Sequence, residues 1–160
     1  MHIRELEEKD NQTIEGIIKR SLESLGLDIP GTAYFDPELG QLASFYSRTK
    51  DARYFVAVNE MDEILGGVGI APFDVDKGIC ELQKLYVIPE AQGRGVAKEL
   101  MRAALDFATD HYNYCYLETS TTLQAATALY VSLGFQSLKH PLGNSGHNAM
   151  DIWLIKTLNC

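Results

Sequence analysis

The chain has 160 residues, of which 46% are hydrophobic and 22% are charged, and its net charge is -8 at pH 7. This length and composition predict one globular domain over residues 1–160, large enough to bury about two thirds of its unfolded surface. The acidic balance disfavours nucleic-acid binding, which needs a basic surface, and no apolar run is long enough to cross a membrane.

The spacing of apolar and turn-forming residues predicts strands and helices in a mixed order. The first half is predicted to contain a strand at 2–5, a helix from Asp10 to Gly26, a second helix from Asp36 to about residue 48, and strands at 53–58 and 64–71. The second half is predicted to contain strands at 79–87, 114–119, 135–138 and 148–154. Its two predicted helices lie at 94–111 and from 121 to Gly134. This order combines hairpins with one parallel crossover. We therefore predict an α/β fold with a mixed, mostly antiparallel central sheet and flanking helices.

The segment 85–97, LYVIPEAQGRGVA, carries the strongest chemical signal in the chain. A strand, a short turn and a helix follow one another there, and Gly93 and Gly95 stand where the helix opens. Glycine lets the backbone approach a large anion, and the free N–H groups of a helix start attract phosphate. The segment therefore predicts a pocket for a diphosphate-bearing cofactor.

Two other nucleotide-binding motifs do not fit this segment. A G-x-G-x-x-G dinucleotide fingerprint would need a third glycine where Lys98 stands, and the glycines at 67–69 precede Pro72 rather than a helix. A Walker loop would need Gly-Lys followed by Ser or Thr, which the chain lacks. A dinucleotide-binding domain is therefore disfavoured, and a plain interaction domain would leave the spacing of the segment unexplained.

The pattern Gln92-x-x-Gly95-x-Ala97 resembles the Q/R-x-x-G-x-G/A signature of the GNAT N-acetyltransferases. The strand at 81–89 is similar to the fourth strand of that family, and the A-x-x-L-Y-x-x-x-G-F run at 126–135 is similar to a second family block. The resemblance is strong over 53–138 and weaker at the ends. The chain as a whole resembles small bacterial members without an assigned substrate. It departs from the pattern at Leu123, where many members carry an Asn that contacts the cofactor.

The resemblance implies acetyl-CoA as co-substrate and no metal. In the family the loop amides hold the pyrophosphate, the strand backbone pairs with the pantetheine arm, and a tyrosine hydroxyl reaches the sulfur. The positions that match these cofactor contacts are Leu85, Tyr86, Val87, Gln92, Gly93, Arg94, Gly95, Val96, Ala97 and Tyr130. We also expect a bulge in the strand at 86–88, which would free one backbone N–H to polarise the thioester.

Two side chains are the candidate catalytic residues. Glu81 is the candidate base, because in an ideal strand it shares a face with Gln83, Leu85 and Val87, which should line the cofactor. Its alternative role is a carboxylate paired with Lys84 or Arg94. Tyr130 is the candidate acid, since it matches the family tyrosine near the CoA sulfur, and its alternative role is core packing.

Other side chains are weaker candidates. His140 and His147 lie in a loop that could border the acceptor site, although a loop histidine is usually solvated. Glu118 is expected to be paired, and Trp153 to be a core or dimer residue. We expect the remaining aromatic candidates to pack in the core rather than line the acceptor pocket, namely Tyr34, Phe35, Phe45 and Tyr46.

The expected function is acetyl transfer from acetyl-CoA to a primary amine, most simply a small molecule, by direct attack in a ternary complex. The open alternatives are a protein N-terminal or lysine acetyltransferase and a non-catalytic acyl-CoA-binding module. The loops at 27–36, 72–78 and 139–147 would read the acceptor. The widely spaced cysteines and the absence of a signal-peptide pattern at residues 1–5 suggest a cytoplasmic protein, without a nucleic-acid or membrane partner, and a homodimer remains an alternative.

Overall fold

A central sheet of seven strands organises the computed structural model, which describes residues 1–158. The strands are β1 (His2–Glu5), β2 (Arg53–Val58), β3 (Ile64–Asp74), β4 (Ile79–Val87), β5 (Tyr114–Thr119), β6 (Gln136–Leu138) and β7 (Ile152–Thr157). They lie in the order β1-β2-β3-β4-β5-β7-β6, and each neighbouring pair is antiparallel except β4–β5. The predicted α/β fold with a mixed, mostly antiparallel sheet is confirmed.

Four α-helices complete the fold and divide the apolar core into two layers. They are α1 (Asn11–Ser24), α2 (Leu42–Arg48), α3 (Val96–His111) and α4 (Gln124–Ser132). One face of the sheet packs against α1 and α2, around Ile14, Leu22 and Leu42. The opposite face packs against the apolar stripe of α3, which includes Leu100 and Met101. Within residues 1–158, no helix combines the length and apolarity of a membrane span.

Three predicted starts of helices and strands are wrong, and in each case a side chain makes a tertiary contact instead of a local one. The second helix begins at Leu42 rather than after Asp36, whose carboxylate binds distant residues. The last strand begins at Ile152 rather than at residue 148, because residues 148–149 form a turn and the Asp151 carboxylate binds Thr121. The same contact holds Thr121 outside the helix predicted to begin there, and α4 begins at Gln124. Cys160 lies outside the described residues.

The parallel pair β4–β5 separates shortly after it starts. Pairing joins Ile79–Glu81 to Tyr114–Tyr116 and extends no further within the described part of the chain. Beyond this point β4 keeps β3 as its partner and β5 keeps β7. The two strands therefore diverge, and a cleft opens at their carboxyl ends.

A bulge in β4 changes the direction of its side chains beside this cleft. The register with β3 shifts between Gln83 and Tyr86, and Lys84 has φ = +53°. Leu85 and Val87 consequently pack on the α3 side, whereas Gln83 is bonded to Tyr46 on the α1–α2 side. The prediction that Glu81 and Gln83 share a face with Leu85 and Val87 is wrong, because the extra residue reverses the strand alternation.

Candidate active site

The cleft between β4 and β5 brings together the two candidate catalytic side chains. Its walls come from β4, β5 and α4, and the loops before α2 and before β7 close one end. Glu81 and Tyr130 both line it, together with Glu118 and His147. Residues separated by up to 66 positions in the sequence thus face one space.

The glycine loop follows the carboxyl end of β4 and has an open, left-handed conformation. Gly93 and Gly95 have φ = +78° and +79°, a region that side chains other than glycine disfavour. A Cβ built on either residue would meet no atom of residues 1–158 within 4 Å, so the space before the loop is free. The Gln92 amide donates to the Val87 carbonyl at 3.2 Å and closes the turn.

Helix α3 starts immediately after this loop, at Val96. The first helical hydrogen bond runs from the Glu99 N–H to the Gly95 carbonyl at 3.1 Å, so the N–H groups of Val96 and Ala97 have no acceptor in the helix. Arg94, an exposed cation, lies beside them. Free amides, a helix dipole and an open space before the loop are features that suit a diphosphate, so residues 92–97 remain the predicted cofactor-binding segment.

Glu81 lies in a largely dry environment at the start of the cleft. The residue is 7% exposed, and its Oε1 accepts a hydrogen bond of 2.7 Å from Gln83 Nε2. Gln83 Oε1 accepts in turn from the Tyr46 hydroxyl at 2.6 Å. Burial raises the pKa of Glu81, and the bond from Gln83, which favours the charged carboxylate, opposes that rise. The neighbour that holds Glu81 is therefore an amide, not the Lys84 or Arg94 of the alternative interpretation.

Tyr130 presents a buried ring and an uncommitted hydroxyl to the same cleft. The residue is 5% exposed, and its hydroxyl, which is open to the cleft, makes no hydrogen bond within residues 1–158. Burial raises the pKa of Tyr130, so the phenol is protonated at neutral pH and can donate. The end of α4 fixes its position: the N–H of Phe135 donates to the Tyr130 carbonyl at 3.1 Å, and Gly134 takes φ = +96° as expected for a helix C-cap.

A buried ionic network behind Glu81 was missed by sequence reasoning. The Lys84 side chain is 2% exposed, and its Nζ lies 2.7 Å from Asp36 Oδ2 and 3.6 Å from Glu38 Oε1. The His147 ring, far from the solvated state expected of it, places Nε2 2.8 Å from Asp36 Oδ1. The bond to Asp36 raises the pKa of His147. Burial would raise the pKa of Asp36, but the bonds to His147 and Lys84 outweigh it and lower that pKa.

A second network fixes the loop before β7 on the floor of the cleft. The Tyr116 hydroxyl donates to Glu118 Oε2 at 2.7 Å, and the Ser145 hydroxyl donates to the other carboxylate oxygen. The N–H of Leu142 donates to the Tyr116 oxygen at 3.2 Å. Glu118 is therefore hydrogen-bonded, as expected, but its partners belong to the loop and not to a cation.

The loops expected to read the acceptor meet above the cleft. The N–H of Ala149 donates to the carbonyl of Gly31 at 3.1 Å, which joins the segment before β7 to the segment before α2. Tyr46 packs in the core, whereas Phe35 is 59% exposed, so the packing expectation is confirmed for the first and wrong for the second. His140 is exposed at the surface.

The bulge in β4 is displaced from its expected position. It involves Lys84 and Leu85 rather than residues 86–88, and the N–H of Ile88 is engaged by the Leu65 carbonyl at 2.9 Å. The Tyr54 hydroxyl donates to the Lys84 carbonyl at 2.8 Å and fixes the bulged peptide. The strand segment 82–87 faces the cleft without β5 as a partner, as required of a backbone that binds an extended ligand.

Comparison with known proteins identifies the family. The family model for the acetyltransferase (GNAT) family matches residues 20–135. The uncharacterized N-acetyltransferase YjgM of Escherichia coli is 37% identical over 98% of this chain and 94% of its own length. Human N-acetyltransferase 8 is 32% identical over 67% of this chain. The match covers half the length of that protein.

Solved structures share the architecture. A GNAT acetyltransferase from Staphylococcus aureus has a TM-score of 0.87 at 16% identity, covering 99% of both chains. An aminoglycoside 6'-N-acetyltransferase complexed with coenzyme A has a TM-score of 0.74 at 16% identity, covering 100% of this chain and 98% of that one. Together with the sequence matches, these likenesses show that the chain belongs to the GNAT family of N-acetyltransferases.

Proposed function

We propose that the protein transfers the acetyl group of acetyl-CoA to a primary amine of a small molecule, by direct attack while both substrates are bound. The observation that carries this proposal is that Glu81 and Tyr130 line one cleft between β4 and β5, while the open glycine loop lies between the carboxyl end of β4 and the start of α3. An acyl-CoA-binding module would need the loop alone. Members of this family use acetyl-CoA, and residues 92–97 offer its diphosphate free amides and space.

The reaction needs a neutral amine. A lysine-like amine with a pKa of about 10.4 costs roughly 4–5 kcal/mol to deprotonate at neutral pH, whereas an amine with a pKa near 8 costs roughly 1.4 kcal/mol. Burial raises the pKa of Glu81, which brings this carboxylate closer to the amine in basicity. Glu81 is therefore the group that accepts the amine proton.

The bond changes balance with these two side chains. The amine nitrogen attacks the thioester carbon, a C–N bond forms and the C–S bond breaks. Glu81 takes the first proton from the ammonium group and returns it to solvent. The second proton leaves the nitrogen as the amide forms and reaches the departing sulfur through Tyr130, whose hydroxyl donates its proton to the sulfur and regains one from the nitrogen. That hydroxyl is protonated and makes no hydrogen bond within residues 1–158.

A small acceptor is favoured over a peptide. The contact between Ala149 and Gly31 joins the two loops that border the acceptor end, which leaves less room for an extended chain. Structural neighbours include enzymes named for small amines, a spermidine N-acetyltransferase and an aminoglycoside 6'-N-acetyltransferase.

The test is CoA release from acetyl-CoA with free amines, peptides bearing a free N-terminus and lysine-containing peptides in parallel. We expect at least one free amine to be turned over, with kcat/KM above that of each peptide. Glu81→Gln and Tyr130→Phe should each reduce turnover while CoA binding remains. A peptide with much the highest kcat/KM would instead support a protein acetyltransferase, and CoA binding without any turnover would support the binding module.

A further inference from the structure

The acidic side chains that line the cleft are available to a substrate, whereas the cationic side chains are already bound to Asp36. Two side chains that line it can be cationic, Lys84 and His147, and two are carboxylates, Glu81 and Glu118. Both cationic groups are already bound to Asp36, at 2.7 Å and 2.8 Å. The lining contributed by residues 1–158 therefore offers no free cation to a substrate carboxylate.

The two carboxylates share one face of the sheet. Glu81 pairs with Tyr116 across β4–β5, and Glu118 follows Tyr116 by two residues on the same face. An ideal spacing of about 4.8 Å between strands and a rise of about 3.3 Å per residue put their Cα atoms at least roughly 8 Å apart, since β4 and β5 diverge beyond Glu81. The charge of Glu118 disfavours ionisation of Glu81, whereas His147 and Lys84 favour it, and a cation bound near both carboxylates would favour it further.

The hydrogen bonds to Glu118 fix the position of its carboxyl group. Tyr116 and Ser145 each donate to one of its oxygens. Each oxygen retains a further acceptor site. Glu118 is thus ready to accept hydrogen bonds from an ammonium group.

A separate observation indicates that a ligand belongs in this cleft. The Tyr130 residue is 5% exposed and lines the cleft, and its hydroxyl makes no hydrogen bond within residues 1–158. Since no buried side-chain polar atom in that part of the chain lacks a partner, this hydroxyl is open to the cleft, where a ligand or water can satisfy it. The carboxylates and this hydroxyl therefore belong to one binding space.

We propose that the acceptor is a diamine-type cation without a carboxylate, whose reacting amine lies at Glu81 and whose second cationic group binds Glu118. This inference rests on the proposed function and narrows its substrate class. α-Amino acids are disfavoured, because their carboxylate would meet two acidic side chains and no free cation. Amines with one charge are weaker acceptors, since they leave Glu118 without a cationic partner.

Matched pairs of amines that differ by one carboxylate provide the test. Cadaverine is compared with lysine, putrescine with ornithine, and pentylamine serves as the single-charge control. We expect kcat/KM for each diamine to exceed that of its amino acid by at least about tenfold, since a charge-assisted hydrogen bond is gained and a repulsion is avoided. This comparison needs only the wild-type protein and no variant.

The variant Glu118→Gln tests the position of the second charge. We expect KM for cadaverine to rise about tenfold and KM for pentylamine to change less than about twofold, as one charge-assisted bond is weakened. Glu23→Gln, an exposed carboxylate on α1, is the matched control. Glu118→Asp, which keeps the charge, should recover part of the affinity for cadaverine.

The outcomes separate this inference from the proposed function. Amino acids turned over as well as their diamines, or an equal effect of Glu118→Gln on both amines, would overturn the inference and leave acetyl transfer intact. A peptide preferred over all free amines would also overturn it. If no amine or peptide released CoA, the proposed function itself would fail, and the inference with it.

Discussion

The Lys84 ammonium lies 2.7 Å from Asp36 Oδ2, in a position where the lysine side chain is 2% exposed. This contact crosses from the bulge of β4 to the segment before α2, and it also supports the carboxylate that holds His147. One buried ion pair thus joins the strand before the glycine loop to the segments before α2 and before β7. The arrangement of these two segments and the bulge should therefore be lost together when the pair is broken.

Lys84→Met should destabilise the protein by about 3–5 kcal/mol, because it leaves the Asp36 carboxylate buried and short of its cation. The free energy of unfolding in urea measures the loss. The double variant Lys84→Met/Asp36→Asn should regain part of it, since no uncompensated charge remains. Lys98→Met, at an exposed position of α3, is the control. Additive effects of the two substitutions would contradict a coupled pair.

The pH dependence of stability should report the bond between His147 and Asp36. The pKa of His147 is raised from 6.5, so its contribution is complete below the unfolded pKa and is lost as pH rises through the folded pKa. The lowered pKa of Asp36 adds stability above its unfolded value of 3.8, which is lost on acidification through the folded pKa. The pair therefore stabilises the folded protein most between pH 3.8 and pH 6.5, the unfolded pKa values of Asp36 and His147.

The measurement compares wild type with His147→Gln in urea. The difference in the free energy of unfolding should be larger at about pH 5.5 than at about pH 8.5. His140→Gln, at an exposed loop position, should show no such trend. A difference that grew toward alkaline pH would contradict the assignment.

Gly95→Val should weaken CoA binding at least about tenfold, because a side chain would enter the open space before the loop and distort its φ of +79°. Gly26 has a similar φ of +69° and is equally uncrowded, but it lies beyond the end of α1. Gly26→Val therefore carries the same backbone strain and should leave CoA binding unchanged. Calorimetric titration of CoA into both variants separates the local effect from strain, and equal affinities would remove the loop from the binding site.

Tyr130→Phe should lower kcat by on the order of 10²-fold and change the affinity for CoA little, because the hydroxyl acts mainly as the sulfur leaves. Steady-state kinetics combined with CoA titration make the distinction. Tyr112→Phe is the control, since it also removes a partly buried hydroxyl, one that donates to the Asp51 carbonyl at 2.6 Å. If Tyr130→Phe and Tyr112→Phe had the same kcat, Tyr130 would be a packing residue without a role in catalysis.

The sequence predicted those parts of the site that depend on local patterns. Gly93, Gly95 and the start of α3 follow from spacing along a single segment, and so does the C-cap at Gly134. The partners of Asp36 and His147 could not be predicted in this way, because 111 positions separate these two residues. The prediction that Glu81 shares a sheet face with Leu85 and Val87 was wrong for a related reason. Strand alternation assumes an unbroken register, and the bulge at Lys84 is fixed by Tyr54, which is 30 positions away.

The bond from Gln83 to Glu81 should set the acid limb of the activity profile. Burial raises the pKa of Glu81, and the 2.7 Å bond from Gln83 Nε2 opposes the rise by favouring the carboxylate. A base works only when ionised, so kcat/KM should fall as pH falls through the pKa of Glu81. Gln83→Leu removes the opposing bond, and the limb should then move to higher pH.

A weakly basic amine is the suitable acceptor for this measurement, because its own protonation does not mask that of Glu81. In Glu81→Gln the limb should disappear and kcat/KM should fall by on the order of 10²-fold or more. Gln136→Leu, the same change at an exposed position of β6, is the control and should leave the profile unchanged. If Gln83→Leu lowered the rate equally at all pH values, Gln83 would support the local structure without tuning a base. A limb that persisted in Glu81→Gln would assign the proton acceptor to another group.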